Sequence, residues 1–386
     1  MMTGVFGSFQ DPFRCVSYTV IGHAFPSRQS WLSKRVWFLW NVPPEAGIFD
    51  RIERVGNGGI GVKTTRDRLL SYLKEKRGNW VSGEWLSRML GVSRTAVNKH
   101  IRHLQKVGYT IDTSTKKGYS LGATADLLLP AEIREGLATR VFGAEDIVHL
   151  PETDSTNLRA KELAALGAVE GTVVIAERQT GGRGRKGRSW FSPEGGIYMS
   201  CILRPRMTPS EAPGITLMTG VVAAEAINLL TRLDARIKWP NDILVGGRKI
   251  AGILTEISAD MDGIDYVVVG IGINVNIPRE DLGDDIREIA TSVLIETGGP
   301  LARSRLVRAF LEQFEIYYRI IQDQGFEPIR KRWKDLSGII GRRTRVEMIG
   351  KTLTGQVFDI DTDGVLLLTD DLGARHRIVS GDITLI

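Results

Sequence analysis

The stretch Ala176-Glu-Arg-Gln-Thr-Gly-Gly-Arg-Gly-Arg-Lys-Gly-Arg-Ser-Trp-Phe-Ser-Pro193 sets four glycines among four cations between Gly181 and Arg188. Glycine lets a backbone approach a ligand closely and take up positive φ. Arginine offers a planar fork of donors that matches carboxylate and phosphate oxygens. The combination describes a mobile loop that closes over an anion, although a basic surface loop with no ligand has the same composition. Gly182, Gly184 and Gly187 also satisfy G-x-G-x-x-G. A dinucleotide fingerprint, however, must open a helix directly after a strand. Thr172–Glu177 reads as the strand, but Ser192-Pro-Glu-Gly-Gly196 follows where the helix should begin. That excludes a Rossmann fold.

Working outward from the loop, Arg236-Ile-Lys-Trp-Pro-Asn-Asp242 puts Lys238 at the end of an apolar strand, just before a tight turn. A lysine so held aims a compact point charge at a cleft, where it can meet a carboxylate and a phosphate. A solvated strand-end lysine is the plain alternative, and the arginine loop nearby argues against it. Asp154-Ser-Thr-Asn157 precedes a helix from Leu158 to Leu166 and makes a good N-cap. Strands are expected at 196–203, 235–245, 248–258 and 265–276, with helices at 212–233, 301–323 and 327–335. The Trp239-Pro-Asn-Asp and Val245-Gly-Gly-Arg connections are hairpin-like, so the sheet should be mixed or largely antiparallel. After Arg342 only short β segments remain, at 344–349, 353–360, 365–369 and 376–386, which makes a small barrel.

Towards the amino terminus the pattern changes. Residues 64–78 read as an amphipathic helix carrying Leu69, Leu70 and Leu73, and Ser82 caps a second helix with Trp85, Leu86, Met89 and Leu90. Ser93 then caps a third, in which Val97, Ile101 and Leu104 share a buried face. Arg94, Thr95, Asn98, Lys99 and Arg102 point the other way. Tyr109–Leu121 alternates about a Lys-Lys-Gly turn, as a hairpin wing does. Helix, helix, turn, helix, wing is a winged helix-turn-helix, whose recognition helix enters a major groove. Residues 63–122 hold 13 Lys+Arg against 4 Asp+Glu, while the whole chain carries a net charge of +6. One short segment is strongly basic and the large remainder after it is mildly acidic, which favours DNA over a protein partner for this module.

The bulk properties bound the rest. A chain of 386 residues with 42% hydrophobic and 25% charged content is an ordinary globular protein of two or three domains. Cys15 and Cys201 exclude a disulfide framework and lack metal-ligand spacing, so a reducing cytoplasm fits. No apolar run reaches the ~20 residues of a membrane span, and the first 40 residues lack a signal-peptide core.

Gly182-Arg-Gly-Arg-Lys-Gly-Arg188 with Trp190, then Lys238-Trp-Pro-Asn-Asp242, Ala251-Gly-Ile-Leu254 and Gly270-Ile-Gly-Ile-Asn274, closely resemble the motifs of the biotin–protein ligases in order and spacing. With the winged helix in front, the chain is similar to the bifunctional ligases that also repress the biotin operon, over about residues 63–386. The resemblance implies an α+β protein: a winged helix-turn-helix at 63–122, a linker at 123–147 that runs into a short helix over 130–137, an α/β catalytic domain with a mixed sheet at 148–335, and an SH3-like tail at 336–386. Residues 1–62 are expected to be an extension, either disordered or untranslated with Val62 as the true first residue.

The same resemblance implies ATP, biotin and Mg²⁺, a biotin carboxyl carrier domain as lysine donor, operator DNA, and a homodimer formed when adenylate is bound. It implies that Ser155, Thr156, Asn157 and Gln179 bind biotin's ring system, and that Gly182, Arg183, Arg185 and Lys238 complete that site. Lys238 and Arg185 are the catalytic candidates. Arg183, Arg185, Arg188, Trp190 and Asn274 are expected on the adenylate, Asn274 at the adenine edge and Trp190 and Trp239 packed over the ligand. The six residues Ser93, Arg94, Thr95, Asn98, Lys99 and Arg102 are expected on DNA. No acidic cluster marks a Mg²⁺ site. Two rivals stay open: a lipoate ligase, which shares the adenylation step, and a ligand-sensing repressor with no activity.

Overall fold

The structure is a computed structural model that describes residues 64–122, 126–144, 146–260 and 263–386. The expectation for residues 1–62 lies outside the described residues.

Three capped helices and a hairpin form the first module. In α1 (Thr65–Glu75) the Thr64 hydroxyl accepts from the Asp67 amide while Asp67 accepts from Thr64, a reciprocal cap. Ser82 caps α2 (Gly83–Leu90), which ends on Gly91 in the left-handed region at φ 69°. Ser93 caps α3 (Arg94–Lys106), which buries Val97, Ile101 and Leu104 as its spacing demands. The wing pairs β1 (Ile111–Ser114) with β2 (Gly118–Leu121) in antiparallel register, and Val81 bridges onto Tyr119.

The segment expected to be a linker is part of two cores. Leu129 buries against the winged-helix leucines. Its neighbour Leu128, with Ile133 of α4 (Pro130–Arg134) and Phe142, buries in the catalytic core. Lys74 of α1 pairs with Glu132 at 2.8 Å, and the Tyr109 hydroxyl donates to the same carboxylate at 2.5 Å. The DNA-binding module is therefore seated on the catalytic domain rather than tethered to it.

A seven-stranded mixed sheet fills the centre, in the order β3-β4-β5-β9-β8-β7-β6. Its strands are β3 (Ile147–Thr153), β4 (Val173–Gln179), β5 (Ile197–Leu203), β6 (Arg236–Lys238), β7 (Asp242–Val245), β8 (Arg248–Asp260) and β9 (Gly263–Ile273). β3 and β4 run parallel; the remaining ladders are antiparallel. Helix α5 (Thr156–Ala165) covers β4, β5 and β9 on one face. On the other, α6 (Pro213–Thr231) packs on β6, β7 and β8 and against α8 (Arg303–Gln324) and α9 (Glu327–Leu336). A short α7 (Val293–Thr297), not expected from the sequence, follows β9. Helix α6 corrects the expectation that no apolar run is long enough for a membrane, since by length and composition it qualifies. Two thirds of that stretch is buried, and it serves as the central helix of the core.

The carboxy-terminal domain is a five-stranded antiparallel sheet in the order β13-β12-β11-β10-β14, built from β10 (Arg343–Met348), β11 (Lys351–Ile360), β12 (Leu366–Asp370), β13 (Arg375–Ile378) and β14 (Asp382–Leu385). The stretch expected as one segment over 376–386 breaks at Val379–Gly381. β14 then crosses to pair with β10, which carries Asp382 to the catalytic domain. Val346, Val357, Ile383 and their neighbours are continuous with the central core.

Candidate active site

A cleft of about 390 Å³ opens on the α5 side of the sheet, between the arginine loop, the Lys238 turn and β14. Glycines flatten its floor. A Cβ on Gly252 would lie 2.7 Å from Trp190 Cζ3, and one on Gly272 would overlap the Trp190 indole. Glycines at these two positions are what allow the indole to lie against the sheet. The loop itself is a folded hairpin: the Trp190 amide donates to Gly182 O at 2.9 Å and the Gly184 amide to Arg188 O at 2.6 Å. Lys186 sits at φ 57° and Gly187 at φ 74° at its tip.

One end of the cleft is neutral and hydrogen-bonding. Ser155, Thr156, Asn157 and Gln179 all line it. Ser155 occupies the N-cap of α5, yet its side chain makes no capping bond. Instead Gln179 Oε1 accepts from the Thr156 amide at 2.8 Å, while the Ser155 amide donates to Asp154 at 2.7 Å. The Ser155 hydroxyl is thus spared from helix duty. Gln179 Nε2 donates to Ser192 Oγ at 2.9 Å, and Ser192 to Trp190 O at 2.9 Å, so the ring-binding residues and the loop hairpin are one network.

The other end gathers charge. Lys249 lies 2.7 Å from Asp242 and Lys238 lies 3.8 Å from the same carboxylate. The Lys249 ammonium also stands 5.0 Å from the centroid of the Trp190 ring, within cation–π range. Arg185 donates to Asn241 Oδ1 at 3.2 Å. Burial lowers the guanidinium's pKa, against the pull of Asp382 and Asp242. Arg188 and Lys186 reach across to Asp382 at 2.6 and 3.2 Å. Burial raises the Asp382 carboxyl, but those two cations outweigh it and hold it below the ordinary range. Arg183 lines the cleft beside them. A dense set of cations thus surrounds a cleft walled by aromatic and glycine surface, the setting in which two anions can be brought together.

Two of the expected residues lie off the cleft wall. Asn274, expected at the adenine edge, is buried off the cleft, where its amide donates to Thr291 O at 2.9 Å. Gly182 is not on the cleft wall; a side chain there would strike Trp190 O and Ser192 Oγ, so the hairpin requires this glycine rather than a ligand. Trp239 does line the cleft, and its indole donates to Gly364 O at 3.0 Å, which also anchors the carboxy-terminal domain. Sequence reasoning also missed residues. Asp242 and Lys249 form an ion pair across the β7–β8 hairpin, which was legible from its Gly246-Gly247 turn. Asp382 and Glu347 reach the cleft from another domain, and nothing local signals that.

On the winged helix, Arg94, Thr95, Lys99 and Arg102 are exposed along one side of α3. Ser93 is the cap of that helix. Asn98 is tied back to the wing by donating to the Tyr119 hydroxyl at 3.2 Å, which fixes the angle between recognition helix and wing. Among the described residues no group of three or more His, Cys, Asp or Glu side chains forms a metal site.

A cation-ringed cleft on a mixed sheet, carried with a winged helix on one chain, defines a DNA-binding enzyme that handles anionic substrates. The model of the biotin/lipoate A/B protein ligase family matches residues 150–274, that of an HTH domain residues 65–120, and that of the biotin protein ligase C-terminal domain residues 339–385. The bifunctional ligase/repressor of Bacillus subtilis is 41% identical over 323 residues, covering 83% of this chain and 99% of the relative. That of Escherichia coli is 34% identical over 313 residues, covering 80% and 94%. A biotin protein ligase of Aquifex aeolicus, solved in complex with biotin and ATP, is 30% identical with a TM-score of 0.55, over 63% of this chain and 99% of that one. The chain belongs to the biotin protein ligase family, among its bifunctional ligase/repressors.

Proposed function

We propose that the chain activates biotin with ATP to biotinyl-5′-AMP, passes the biotinyl group to a lysine of a biotin carboxyl carrier domain, and represses biotin genes in response to the adenylate. The observation that carries the chemistry is the pair Lys238 and Lys249 about Asp242, facing the arginine loop. A carboxylate oxygen of biotin attacks the α-phosphorus of ATP, the bond to the β-phosphate oxygen breaks, and pyrophosphate leaves. The lysine amine of the acceptor then attacks the acyl carbon, loses a proton, and AMP departs. Both steps bring negative charge together or develop it, so fixed cations in a partly desolvated cleft lower the barrier. Lys249 and Lys238 serve the carboxylate and α-phosphate, and Arg183 and Arg185 the phosphate oxygens. Ser155, Thr156 and Gln179 suit the ring system. Closure of the hairpin by Asp382 keeps water from the anhydride.

Among the described residues no acidic cage for Mg²⁺ is built; a cation held by the triphosphate is the form in which it would enter. A cytoplasmic location suits an enzyme that draws on ATP. Repression follows if adenylate binding favours a dimer, because two winged helices read two half-sites. The deciding assay is pyrophosphate release from ATP with biotin against lipoate. Release with lipoate alone would return the lipoate ligase, and release with neither would leave a repressor without catalysis.

A further inference from the structure

Beneath the ring-binding end of the cleft a line of polar groups runs from the half-buried Glu256 through the buried Asn157 and Ser200 to Thr156. Glu256 of β8 accepts from Lys161 at 2.8 Å and from Asn157 Nδ2 at 2.9 Å. Burial raises this carboxyl, but Lys161 and Asn157 outweigh it and hold it below the ordinary range, so it accepts only. Asn157 Nδ2 also donates to Leu254 O at 3.2 Å. Both neighbours are acceptors, which fixes the amide's orientation and turns Asn157 Oδ1 toward Ser200. Ser200 Oγ lies 2.6 Å from that oxygen and 2.8 Å from Thr156 Oγ1. Ser200 is fully buried.

Ser200 has one hydrogen for two oxygen neighbours. Asn157 Oδ1 cannot donate, and two bare oxygens at 2.6 Å would repel, so the Ser200 hydrogen goes to Asn157. The Thr156 hydroxyl, with Ser200 Oγ at 2.8 Å and Gln179 Oε1 at 3.2 Å, then gives its hydrogen to the nearer Ser200, since Gln179 Oε1 already accepts from the Thr156 amide. Its remaining lone pairs are left on the cleft side, where Thr156 is a wall residue. The polarity is set from the Glu256 charge outward, each bond polarising the next. Gly270 belongs to the same device, since a Cβ there would overlap the Asn157 amide.

We propose that Ser200 is a positioning residue for substrate recognition: the Glu256–Asn157–Ser200–Thr156 chain holds Thr156 Oγ1 as a hydrogen-bond acceptor, so that the site takes a ring N–H there and rejects a ligand presenting an acceptor. The inference rests on the biotin reading above, and the ring N–H is that of the cyclic urea.

The test compares the full chain with its Ser200→Ala and Ser200→Cys variants, using biotin and an analogue in which one urea N–H is replaced by oxygen. Biotin-dependent pyrophosphate release gives KM and kcat for each. The wild type should prefer biotin strongly. In Ser200→Ala the Thr156 hydroxyl is free to turn and donate, so the preference should fall about tenfold, the scale of one hydrogen bond. The change should lie in the KM for biotin, with kcat and the KM for ATP unmoved. Ser200→Cys keeps a donor, weaker and larger than the hydroxyl, and should fall between. In a Thr156→Val background, Ser200→Ala should have no further effect on the preference, an outcome that loosened packing alone would not produce. An unmoved preference in folded Ser200→Ala or, where that variant does not fold, in Ser200→Cys would overturn the role. No biotin-dependent release by the wild type would instead overturn the biotin reading, and this role with it.

Discussion

Glu177 offers the sharpest quantitative test of how the domains are joined. It sits on β4, two residues before Gln179, and its carboxylate accepts from the Leu128 amide at 3.0 Å, from His149 Nε2 at 3.0 Å and from Arg303 at 2.8 Å. Arg303 is 4% exposed and is also held by Asp126 at 2.7 Å. Burial pushes the Glu177 carboxyl up, but the His149 hydrogen bond and the Arg303 charge outweigh it, leaving its pKa at about 2 against an ordinary 4.5. That difference stabilises the fold by about 3 kcal/mol. Because the folded value lies below the unfolded one, the contribution is whole above about pH 4.5 and is lost as pH falls toward about 2. Between about pH 6 and about pH 3.5 the wild type should lose about 1.4 kcal/mol through this one group. Glu177→Gln puts an amide N–H₂ among donors and should cost about 3 kcal/mol near neutrality, as breaking a buried ion pair does. It should then lose about 1.4 kcal/mol less than the wild type over the same acid range. Urea unfolding followed by circular dichroism at several pH values measures both. Parallel stability curves for the two proteins would refute the assigned pKa and with it the view that this carboxylate stays charged in the core.

Lys249→Ala and Lys238→Ala should each reduce adenylate formation by about 100-fold or more, the usual cost of removing a fixed charge from a transition state; near-normal pyrophosphate release by a folded variant would remove that lysine from the chemistry. Asp382→Asn frees Lys186 and Arg188, a half-exposed contact worth at most about 1 kcal/mol, so trypsin should cut the ligand-free loop a few times faster, and an unchanged rate would mean that Asp382 does not hold it. Gly272→Ala drives a methyl into the Trp190 indole and should displace the ring; unaltered tryptophan fluorescence and unaltered KM values would argue that the glycine floor is incidental. Operator DNA should bind more tightly, with strong salt dependence, in the presence of a non-hydrolysable adenylate analogue, and equal affinity with and without it would leave a DNA-binding ligase with no switch.

What could be read from the sequence was whatever is written locally. The caps at Thr64, Ser82 and Ser93, the apolar spacing of Val97, Ile101 and Leu104, and the turn at Gly246-Gly247 each depend on neighbours a few residues away. They are enough to set out the winged helix and the hairpins of the sheet. The cleft obeys a different logic. Asn274 looked poised at a strand end, but a buried amide takes the partner that folding supplies, and Thr291 supplies it. Trp239 lines the cleft beside Lys238, but that Gly364, more than a hundred residues on, accepts from its indole is written nowhere near it. Asp382 could not be seen at all, because its relevance begins only when β14 crosses to β10.

The supposed linker failed for the same reason and with more consequence. Leu128 and Leu129 are adjacent, and an extended backbone sends them to opposite sides, one into each domain's core. A segment that buries on both sides cannot act as a flexible string. Asp126, at its start, is locked to Arg303, whose other partner Glu177 shares a strand with Gln179. The residues that carry the DNA-binding module and the residues that line the ring-binding end of the cleft are thus fixed by the same strand. A shift of β4 would therefore bear first on the Glu177–Arg303 ion pair and, through Asp126, on the segment that seats the winged helix.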